Sequence, residues 1–469
     1  MATISELRVH RGRRAEGWLL VLSWALAVLA RGLVDYHADY LELGALTWYA
    51  AGFAVAAAVL HIALRIFAPD SDQVVLPSVL GLIAVALAEI RRLDFAYAAR
   101  GRDTDFAGTQ IGWAILGAVV FIAVLIVIRD HRVLRRFTYT AGVLGIVMYL
   151  LPAVPGLGKE INGAKIWIGA FGHSLQPGEF GKILLVVFFA GYLQTNRDAL
   201  ALAGPKVLGM RLPRMRDMGP LAIMFGAALL IMINQKDLGA ALLFFGIFIG
   251  MVYVATERIS WVVIGLVLFV VGAIGAGIVF PHVASRYDAW LHAMDPQVYS
   301  SGKSEQLVRG LFGMASGGLF GTGLGNGRPD LVPYAESDFI IPSLGEELGL
   351  TGLMAILTLY VILVQRAMRT AIGVRDGFGK LLSAGLGFAL TLQVFIVVGG
   401  VTRLIPLTGL TTPFLAYGGS SMVANWVVIA LILRISDQAR RPAQSPETRT
   451  DPATAPSRRR PDLEEAAAQ

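Results

Sequence analysis

The 469-residue sequence contains no cysteine, and only 16% of its residues are charged. Without a thiol, the chain can form no disulfide bond, no cysteine-ligated iron–sulfur cluster and no thiol nucleophile. The charged fraction lies well below the roughly 25% that is typical of soluble domains. The sequence is therefore poorly suited to fold as several soluble domains, and the apolar residues that replace the missing charges become the main structural signal.

Apolar runs of near-bilayer length occupy most of the chain, in which 55% of the residues are hydrophobic. They predict an all-α, polytopic membrane protein with about twelve transmembrane helices. Two of the runs, 180–194 and 218–233, are shorter than the roughly 20 residues that a bilayer requires, so we expect each helix to extend into flanking residues. The predicted spans are 17–34, 44–67, 74–90, 111–128, 138–152, 180–194, 218–233, 238–256, 259–280, 339–365, 380–402 and 413–434.

Lysine and arginine predict the orientation of these spans. The connectors Arg129–Arg136, Arg197–Arg216 and Arg366–Lys380 and both termini are basic, and all fall on one side when the spans are threaded in order. By the positive-inside rule, we expect that side, with both termini, to be cytoplasmic. The segment Arg91–Arg102 is discordant, since its four arginines fall on the other side. The net charge of +7 fits this topology and requires no nucleic acid as a partner.

Changes in composition divide the chain into three parts. Residues 1–72 are predicted to form a cytoplasmic N-terminal segment and two helices, and residues 73–435 the main transmembrane core. This core includes a large loop at about 281–338, which we expect on the extracytoplasmic side. Residues 436–469 are rich in Pro, Ala, Arg, Ser, Thr and Glu and are predicted to be a disordered cytoplasmic tail.

Asp338 is the most informative single residue of the sequence. It lies in YAESDFIIPSLGEELG (334–349), where the long loop meets an apolar helix that also contains Glu346 and Glu347. Ionisable side chains at membrane depth are costly unless they line a wet cavity, so they are candidates for function. The alternative is that Asp338 only caps this helix, because Asp is a common N-cap residue.

Three further segments on the same predicted side interrupt the apolar pattern. Prolines and glycines forbid a continuous helix in Gly156–Lys182, and Asn234–Asp237 forms a tight turn in which Asp237 could act as an N-cap. Prolines also break the helix in Val401–Ser421, whose hydroxyls could line a site or join helices. Within the long loop, the glycine-rich stretch 316–327 lets backbone amides approach an anion, but no P-loop lysine follows it.

Cations and carboxylates therefore gather on one predicted face. They include Lys165, Lys182, Lys303, Arg309 and Arg403, together with Asp237 and Asp338. Such a set suits an anionic, lipid-linked substrate, because the cations would hold a pyrophosphate while the acid takes a proton from an attacking hydroxyl. A divalent ion that bridges a carboxylate and the pyrophosphate is an equal alternative.

Six ordered motifs resemble those of the SEDS family (shape, elongation, division and sporulation). They are NGAKIWIG, LQPGEFGK, NQKDLGAALL, SGGLFGTGLG, ESDFIIPSLGEELGLTG and PLTGLTTPFLAYGGSSMVANW. The resemblance implies a ten-helix core, here preceded by two additional helices. It also implies an enzyme that polymerises lipid II at the outer face of the cytoplasmic membrane. The expected partners are an undecaprenyl-pyrophosphate-linked glycan strand and a class B penicillin-binding protein, the transpeptidase.

The resemblance also implies roles for individual residues. Asp338 matches the family's essential aspartate, and would be either the general base or a ligand of a divalent cation, Mg²⁺ or Mn²⁺. An acceptor hydroxyl would attack the donor sugar with inversion of its anomeric carbon. Taken with the chemistry of the outer segments, the predicted substrate-binding residues are Lys165, Trp167, Lys182, Gln235, Asp237, Lys303, Gln306, Arg403, Ser420 and Ser421.

Some positions depart from the family pattern, and a second function stays open. Ile166, Gly178 and Lys236 stand where the family often has arginine, a small Ser or Ala, and proline. The segment GGVTRLIPLTGLTTPF is closer to the elongation type of high-GC Gram-positive bacteria than to the division type. The alternative from another class is a lipid flippase or transporter, which should depend on charges at both membrane depths.

Overall fold

The computed structural model describes residues 13–161, 164–170, 172–197, 206–207, 210–211 and 219–441. Nearly all of the predicted tail lies outside these residues. Helices dominate the part that is described, and the last of them continues to Arg440, a few residues beyond the predicted end of the core. The all-α architecture predicted from the apolar runs is confirmed.

The described residues form fifteen α-helices, of which α10, α11 and α12 belong to the long loop and the other twelve occupy the predicted spans. In chain order they are α1 (Arg14–His37), α2 (Leu43–Phe67), α3 (Val75–Ala98), α4 (Phe106–Val127), α5 (Thr138–Leu150), α6 (Gly178–Thr195), α7 (Gly219–Asn234), α8 (Leu238–Thr256), α9 (Ile259–Val279), α10 (Pro281–Leu291), α11 (Pro296–Ser300), α12 (Glu305–Gly317), α13 (Ile340–Gly373), α14 (Gly377–Val401) and α15 (Gly419–Arg440). Short 3₁₀ turns cover His131–Phe137, Leu151–Ala153 and Pro329–Leu331.

Nine of the described helical stretches are long and apolar enough to cross a membrane. The other three predicted spans are α3, which carries several charged side chains, and α6 and α7, the two short runs. Helix α6 has 18 residues and α7 has 16, so both are near the lower limit for a bilayer. About twelve spans is therefore consistent with the structure.

Five short strands interrupt the helical pattern. They are β1 (Gly158–Ile161), β2 (Ala164–Ala170), β3 (His173–Leu175), β4 (Lys206–Val207) and β5 (Met210–Arg211). The first three form an antiparallel sheet in the order β1-β2-β3, with Lys159 opposite Trp167 and Ile168 opposite Leu175. The sequence correctly excludes a continuous helix here, but it does not predict the strands.

Helix α15 lies at the centre of the bundle. Its side chains are almost all buried, and Trp426 packs edge-on against Phe121 of α4 and Phe414. A Cβ atom at Gly117 of α4 would lie 2.1 Å from Trp426 Cδ1, so only glycine allows this close approach of the two helices. By contrast, α9 is peripheral, and its apolar side chains are mostly exposed, as expected where a helix faces lipid.

The two N-terminal helices are joined to the rest of the bundle through α3. Ser23 of α1 donates a hydrogen bond to the carbonyl of Pro77 (2.9 Å), and Trp24 donates to the carbonyl of Ala50 in α2 (2.9 Å). Arg13 bonds the carbonyl of Ala68 at the connection between α2 and α3 (3.0 Å). Helices α1 and α2 therefore form a hairpin that packs on the first helix of the predicted core.

The bundle has two polar ends, which we name by what they carry. The loop face carries residues 280–339 and the sheet β1–β3, and the basic face carries both described chain ends. On the basic face, the amide of Asp70 donates to the Asp437 carboxylate (2.9 Å), and His131 Nε2 lies 2.8 Å from Asp376 Oδ2. These contacts join connectors that are distant in sequence, as expected if each helix crosses the bundle once.

Three of the discordant arginines in Arg91–Arg102 have acidic partners on the loop face. Arg91 lies 2.5 Å from Asp35 Oδ1, Arg92 lies 3.1 Å from Glu347 Oε1, and Arg100 forms an ion pair with Asp330. The charge of each of these arginines is therefore neutralised locally, which explains how they lie opposite the basic connectors without reversing the topology.

Helix α13 is broken near its start. Gly349 has φ of 67° and ψ of −172°, which divides the helix into a short segment 340–348 and a long segment 350–373. Backbone from the end of α12 lies across the break: Leu350 donates to the carbonyl of Gly318 and Thr351 to that of Leu319, both at 3.0 Å. The break lets the long loop hydrogen-bond with the helix just after Asp338 and the two glutamates.

We expect Gly349→Ala to destabilise the protein by about 1–3 kcal/mol from backbone conformation alone. The added Cβ atom would also lie 2.2 Å from the backbone nitrogen of Gly321, so the loop would have to move. Thermal unfolding in detergent would measure the loss. Gly373→Ala at the end of the same helix is the matched control, since its Cβ atom would meet nothing within 4 Å. Equal melting temperatures for the two variants would contradict the assigned role of the break.

Candidate active site

A cavity of about 800 Å³ opens on the loop face of the bundle. Its volume is in the range of pockets that bury a small-molecule ligand. Its walls come from all four segments that the sequence predicts to carry chemistry: the sheet β1–β3, the turn 235–237, the long loop and the broken segment 402–418. The residues that matter below are Trp167, Lys236, Asp237, Arg286, Trp290, Lys303, Gln306, Asp338, Thr408, Ser420 and Ser421.

Asp338 lines this cavity at the end of a turn that is fixed on both sides. The backbone amide of Tyr417 donates to the carbonyl of Glu336 (2.7 Å), and the Tyr97 hydroxyl donates to the Glu336 carboxylate (2.8 Å). Phe339, the next residue, is fully buried. The buried phenylalanine and the two hydrogen bonds hold the half-buried Asp338 side chain at the cavity wall.

The capping alternative for Asp338 is wrong. Helix α13 begins at Ile340, its N-cap residue is Phe339, and no side chain accepts a hydrogen bond at this cap. The Asp338 carboxylate accepts a hydrogen bond from the neighbouring Ser337 hydroxyl at 3.3 Å. The carboxylate therefore keeps most of its hydrogen-bonding capacity for a molecule in the cavity.

Burial raises the pKa of the Asp338 carboxyl to about 6, from an ordinary value of 3.8. Its own backbone amide and the Ser337 hydroxyl act in the opposite direction, as does the positive charge of Arg286, whereas the negative charge of Glu336 adds to the rise. A carboxyl with this pKa is ionised at neutral pH and can still accept a proton, which is what a general base requires.

Arg286 in α10 is the functional candidate that the sequence did not reveal. It lines the cavity and is positioned by two hydrogen bonds of 3.0 Å, from Nη1 to the carbonyls of Leu407 and Thr408. The charges of Asp237 and Asp338 both act on its guanidinium, and burial lowers its pKa. The sequence indicates only that Arg286 lies in an amphipathic segment, and an amphipathic pattern does not identify which polar side chain lines a cavity.

Asp237 has both of the roles that the sequence leaves open. Its carboxylate accepts a hydrogen bond from the amide of Ala240 (2.9 Å) and so caps α8, and it also lines the cavity. The preceding Lys236 has φ of 61°, a conformation that proline cannot adopt. The turn in this chain therefore differs from one built with proline, and it brings Lys236 to the cavity wall.

The structure brings six of the ten predicted substrate-binding residues to the cavity beside Asp338. They are Trp167, Asp237, Lys303, Gln306, Ser420 and Ser421. The two serines are also bonded to protein: Ser420 Oγ accepts from the amide of Gln176 (2.8 Å), and Ser421 Oγ accepts from the Thr411 hydroxyl (3.1 Å). The Ser420 hydroxyl thus joins the start of α15 to the residue that follows β3, the Ser421 hydroxyl joins α15 to the broken segment, and both form part of the wall.

The other four predicted residues do not line the cavity. Lys165 lies in β2 against Gly158, and Gln235 is buried and donates to the carbonyl of Tyr149 (2.6 Å). Arg403 donates to the carbonyls of Trp290 (2.8 Å) and Leu291 (2.7 Å), so it caps the C-terminal end of α10. Arg309, also predicted as a cation of this face, is half-buried and forms an ion pair with Glu305 (2.6 Å).

Lys182, the fourth of these residues, is buried in α6 next to the cavity. Its Nζ lies 3.0 Å from Glu179 Oε2 and 2.8 Å from Gln393 Oε1. With Glu179 and Asp237 it lines a chamber of about 20 Å³, which is space for roughly one water molecule. Asp237 lines both spaces, so it connects the buried ion pair with the main cavity.

The glycine-rich stretch does bind an anion, but that anion belongs to the protein. The amides of Gly325 and Gly327 donate to the Glu347 carboxylate at 2.8 and 3.2 Å, and Arg92 donates to it at 3.1 Å. The amide of Arg328 donates to Glu346 at 2.8 Å. Both glutamates therefore anchor the long loop and are not free to bind a ligand.

A divalent cation would find few protein ligands here. In the described part of the chain, no group of three or more His, Cys, Asp or Glu side chains could hold a metal ion. Mg²⁺ commonly binds to one or two carboxylates and completes its coordination with water and substrate phosphates. Asp338 alone therefore fits an ion that arrives with a phosphorylated substrate, and does not fit a closed metal site built from protein.

Known proteins match both the sequence and the fold. The family model of the FtsW, RodA and SpoVE cell cycle proteins matches residues 73–441. The chain is 46% identical over 445 residues to the peptidoglycan glycosyltransferase RodA of Mycobacterium tuberculosis H37Rv, which covers 94% of each protein. It is 30% identical over 376 residues to the probable peptidoglycan glycosyltransferase FtsW of Trichlorobacter lovleyi, covering 78% of this chain and 93% of the relative.

A solved structure has the same fold. It is a chain from a peptidoglycan synthase complex, described as coordinating polymerization and crosslinking. It matches with a TM-score of 0.61 and 22% sequence identity, and covers 78% of this chain and 97% of that one.

Proposed function

The chain belongs to the FtsW, RodA and SpoVE family of cell cycle proteins and is a peptidoglycan glycosyltransferase, and we propose that it polymerises lipid II with Asp338 at the reacting centre. The family predicted from the six motifs is therefore confirmed. The chain is RodA-like, since identity and coverage are both higher for the RodA relative than for the FtsW relative. We accordingly assign it to cell elongation and shape.

The observation that carries the proposal is the position of Asp338 in the cavity. The Asp338 carboxylate does not cap a helix. It lines a cavity whose wall also contains Arg286 and several aromatic and hydroxyl side chains. Proton transfer to a positioned carboxylate typically contributes a factor of about 10²–10⁴ to a rate. This arrangement suits a reaction in which a sugar hydroxyl must lose a proton beside an anionic leaving group.

In the proposed reaction, the 4-hydroxyl oxygen of the incoming lipid II sugar forms a bond to the anomeric carbon of the donor sugar. The bond from that carbon to the diphosphate oxygen breaks, the diphosphate takes the bonding electrons, and the configuration at the carbon inverts. The hydroxyl proton goes to the carboxylate of Asp338. Trp167 and the hydroxyls of Ser420 and Ser421 at the start of α15 are placed to contact the sugars.

In the alternative role of Asp338, its carboxylate would instead hold a divalent cation, Mg²⁺ or Mn²⁺, together with substrate phosphate oxygens, and that ion would supply positive charge for the departing diphosphate. The protein's own contribution is to position the hydroxyl near the carboxylate and to surround the diphosphate with fixed cations. Lys236, Arg286 and Lys303 line the cavity and place positive charge on its wall.

We place the loop face, with the cavity, outside the cytoplasmic membrane and the basic face in the cytoplasm. Basic connectors on one side and paired arginines on the other support this orientation. A class B penicillin-binding protein that crosslinks the new strands is the proposed partner, by analogy with the synthase complex whose fold this chain shares.

A flippase or transporter is the second candidate function. It is less well supported, because the exposed ionisable residues of the cavity lie at one end of the bundle. Polymerisation of purified lipid II by the purified protein with its cognate penicillin-binding protein tests the proposal. Glycan strands of many disaccharides are the expected product. If no strands form with partner and divalent cation present, while lipid II crosses vesicles that contain the protein, the enzyme assignment fails.

We expect polymerisation to depend on pH with a midpoint near 6. The pKa of Asp338 is raised to about 6, so the ionised form that accepts the proton dominates above this pH and is lost below it. The rate should fall about tenfold for each pH unit below the midpoint. Other groups that act on Asp338 are Glu336, Arg286 and Ser337. Initial rates of strand formation between pH 5 and 8 would show this fall in rate. A rate that does not change with pH would exclude Asp338 as the general base.

A further inference from the structure

Arg286 lines the cavity and has unused hydrogen-bonding capacity. Its Nη1 is occupied by the carbonyls of Leu407 and Thr408, both at 3.0 Å. Within the described part of the chain, Nε and Nη2 have no hydrogen-bond partner, and no carboxylate lies within ion-pair distance. A guanidinium has five N–H donors, so a half-bonded arginine at a cavity wall is prepared to bind an acceptor that the protein does not supply.

The fixed half of the guanidinium determines its orientation. Leu407 and Thr408 belong to the broken segment 402–418, and their two carbonyls hold one nitrogen from one side. A planar guanidinium held at one nitrogen presents its remaining N–H groups in a defined plane. That geometry matches phosphate oxygens, which arginine commonly binds through two parallel hydrogen bonds.

Three of the cations predicted from the sequence, Lys182, Lys303 and Arg403, already have partners within the protein. Lys182 is buried with Glu179 and Gln393, and Arg403 caps α10. Lys303 lines the cavity, but its Nζ lies 3.2 Å from Asp288 Oδ2. Arg286 is therefore the cation of the described cavity wall that is both half-buried and incompletely bonded.

We propose that Arg286 binds the diphosphate of the lipid-linked substrate through Nε and Nη2. This inference rests on the proposed function and names the residue that recognises the anionic group. Arg286 and Asp338 line the same cavity, so the leaving group and the proton acceptor would lie on neighbouring parts of the wall. The attacking hydroxyl and the departing diphosphate are then positioned by residues from two different segments of the long loop.

Arg286→Gln and Arg286→Lys test this assignment in the full-length protein with lipid II as substrate. Undecaprenyl diphosphate, added as an inhibitor of strand formation, probes the site directly, and undecaprenyl monophosphate is the comparison. We expect Arg286→Gln to weaken inhibition by the diphosphate by about tenfold to a hundredfold, since hydrogen bonds to charged groups are lost. Arg286→Lys should restore part of the affinity, and inhibition by the monophosphate should change less.

Arg403→Gln is the matched structural control. Arg403 also joins α10 to the broken segment, but it does not line the cavity, so its loss disturbs the same wall without removing a cavity cation. We expect this variant to keep the inhibition constant of the diphosphate within about threefold, which corresponds to less than 1 kcal/mol.

The two proposals fail in distinguishable ways. If the wild type forms no strands, the proposed polymerase function itself is wrong. If the wild type forms strands but Arg286→Gln is inhibited as strongly as wild type, only the role of Arg286 is wrong. Equal weakening in Arg286→Gln and Arg403→Gln, with equal losses in melting temperature, would make Arg286 a purely structural residue.

Discussion

Replacement of Asp338 by Asn is expected to abolish glycan-strand formation, with a loss of at least about 100-fold, while the protein stays folded. Asn has nearly the same shape as Asp, but it cannot accept the proton of the attacking hydroxyl. The turn that holds residue 338 depends on Glu336, Tyr97 and Tyr417 and not on the carboxylate itself. The loss should therefore be confined to catalysis.

The stability of this variant gives a second, independent readout. The raised pKa of Asp338 means that the folded protein binds the proton more tightly than the unfolded chain does. Ionised Asp338 thus disfavours folding above pH 6, and this destabilisation disappears as the pH falls and the group is protonated. Neutral Asn removes it, so the melting temperature at pH 7.5 should equal or exceed that of wild type.

Polymerisation of lipid II and thermal unfolding of wild type and Asp338→Asn would be measured side by side. Asp295→Asn in the same loop is the matched control, because Asp295 is exposed and its N-cap hydrogen bond to Gln297 (2.8 Å) can be made by Asn as well. This control should retain full activity. Strand formation by Asp338→Asn at the wild-type rate would move the reacting centre to another residue.

The fold was largely predictable because its membrane-spanning helices are marked in the sequence by long apolar runs. Each predicted span corresponds to a helix; the short run 180–194 extends at both ends into α6, whereas α7, with 16 residues, is only as long as the run 218–233. The strands β1–β3 were not predictable, because their glycine-rich sequence excludes a helix without defining a register. The sequence also predicts that the four polar segments lie on one side of the membrane. Each helix crosses the membrane once, so every second connector lies on the same side.

Long-range pairing explains why the rest of the site was not predictable. The arginines that violate the charge rule find acids far away in sequence: Arg91 is 56 residues from Asp35, and Arg92 is 255 residues from Glu347. Nothing local in the sequence indicates these pairs. The same limit applies to Arg403, which looks like a substrate ligand in sequence but bonds α10 in the structure.

The glycine-rich stretch binds an anion, as the sequence predicts, but this anion is a side chain of the protein and not a substrate. Flexible glycine backbone does bring amides close to an anion, as predicted. That anion is Glu347, which is buried within α13 and pairs with Arg92 of α3. One carboxylate therefore joins two helices and the long loop, and this loop continues to Asp338.

Glu347→Ala is consequently expected to lower the free energy of unfolding by about 3–5 kcal/mol. It leaves Arg92, whose side chain is 13% exposed, without its carboxylate partner, and it leaves the amides of Gly325 and Gly327 without an acceptor. Polymerisation should fall as well, because the loop that positions Asp338 loses two of its hydrogen bonds to α13. Chemical unfolding in detergent and initial rates of strand formation would measure the two effects.

Two further variants test whether the loss of stability comes from the Arg92–Glu347 ion pair or would follow from any substitution in this part of α13. Glu346→Ala removes an acceptor with one amide partner, that of Arg328, so it should cost less. In the double variant Arg92→Leu/Glu347→Leu, neither member of this ion pair is left without the other, and the loss should be smaller than the sum of the losses of Arg92→Leu and Glu347→Leu. A double variant as unstable as that sum would show that Arg92 and Glu347 act independently, and the loop would then owe its position to the backbone contacts around Gly349.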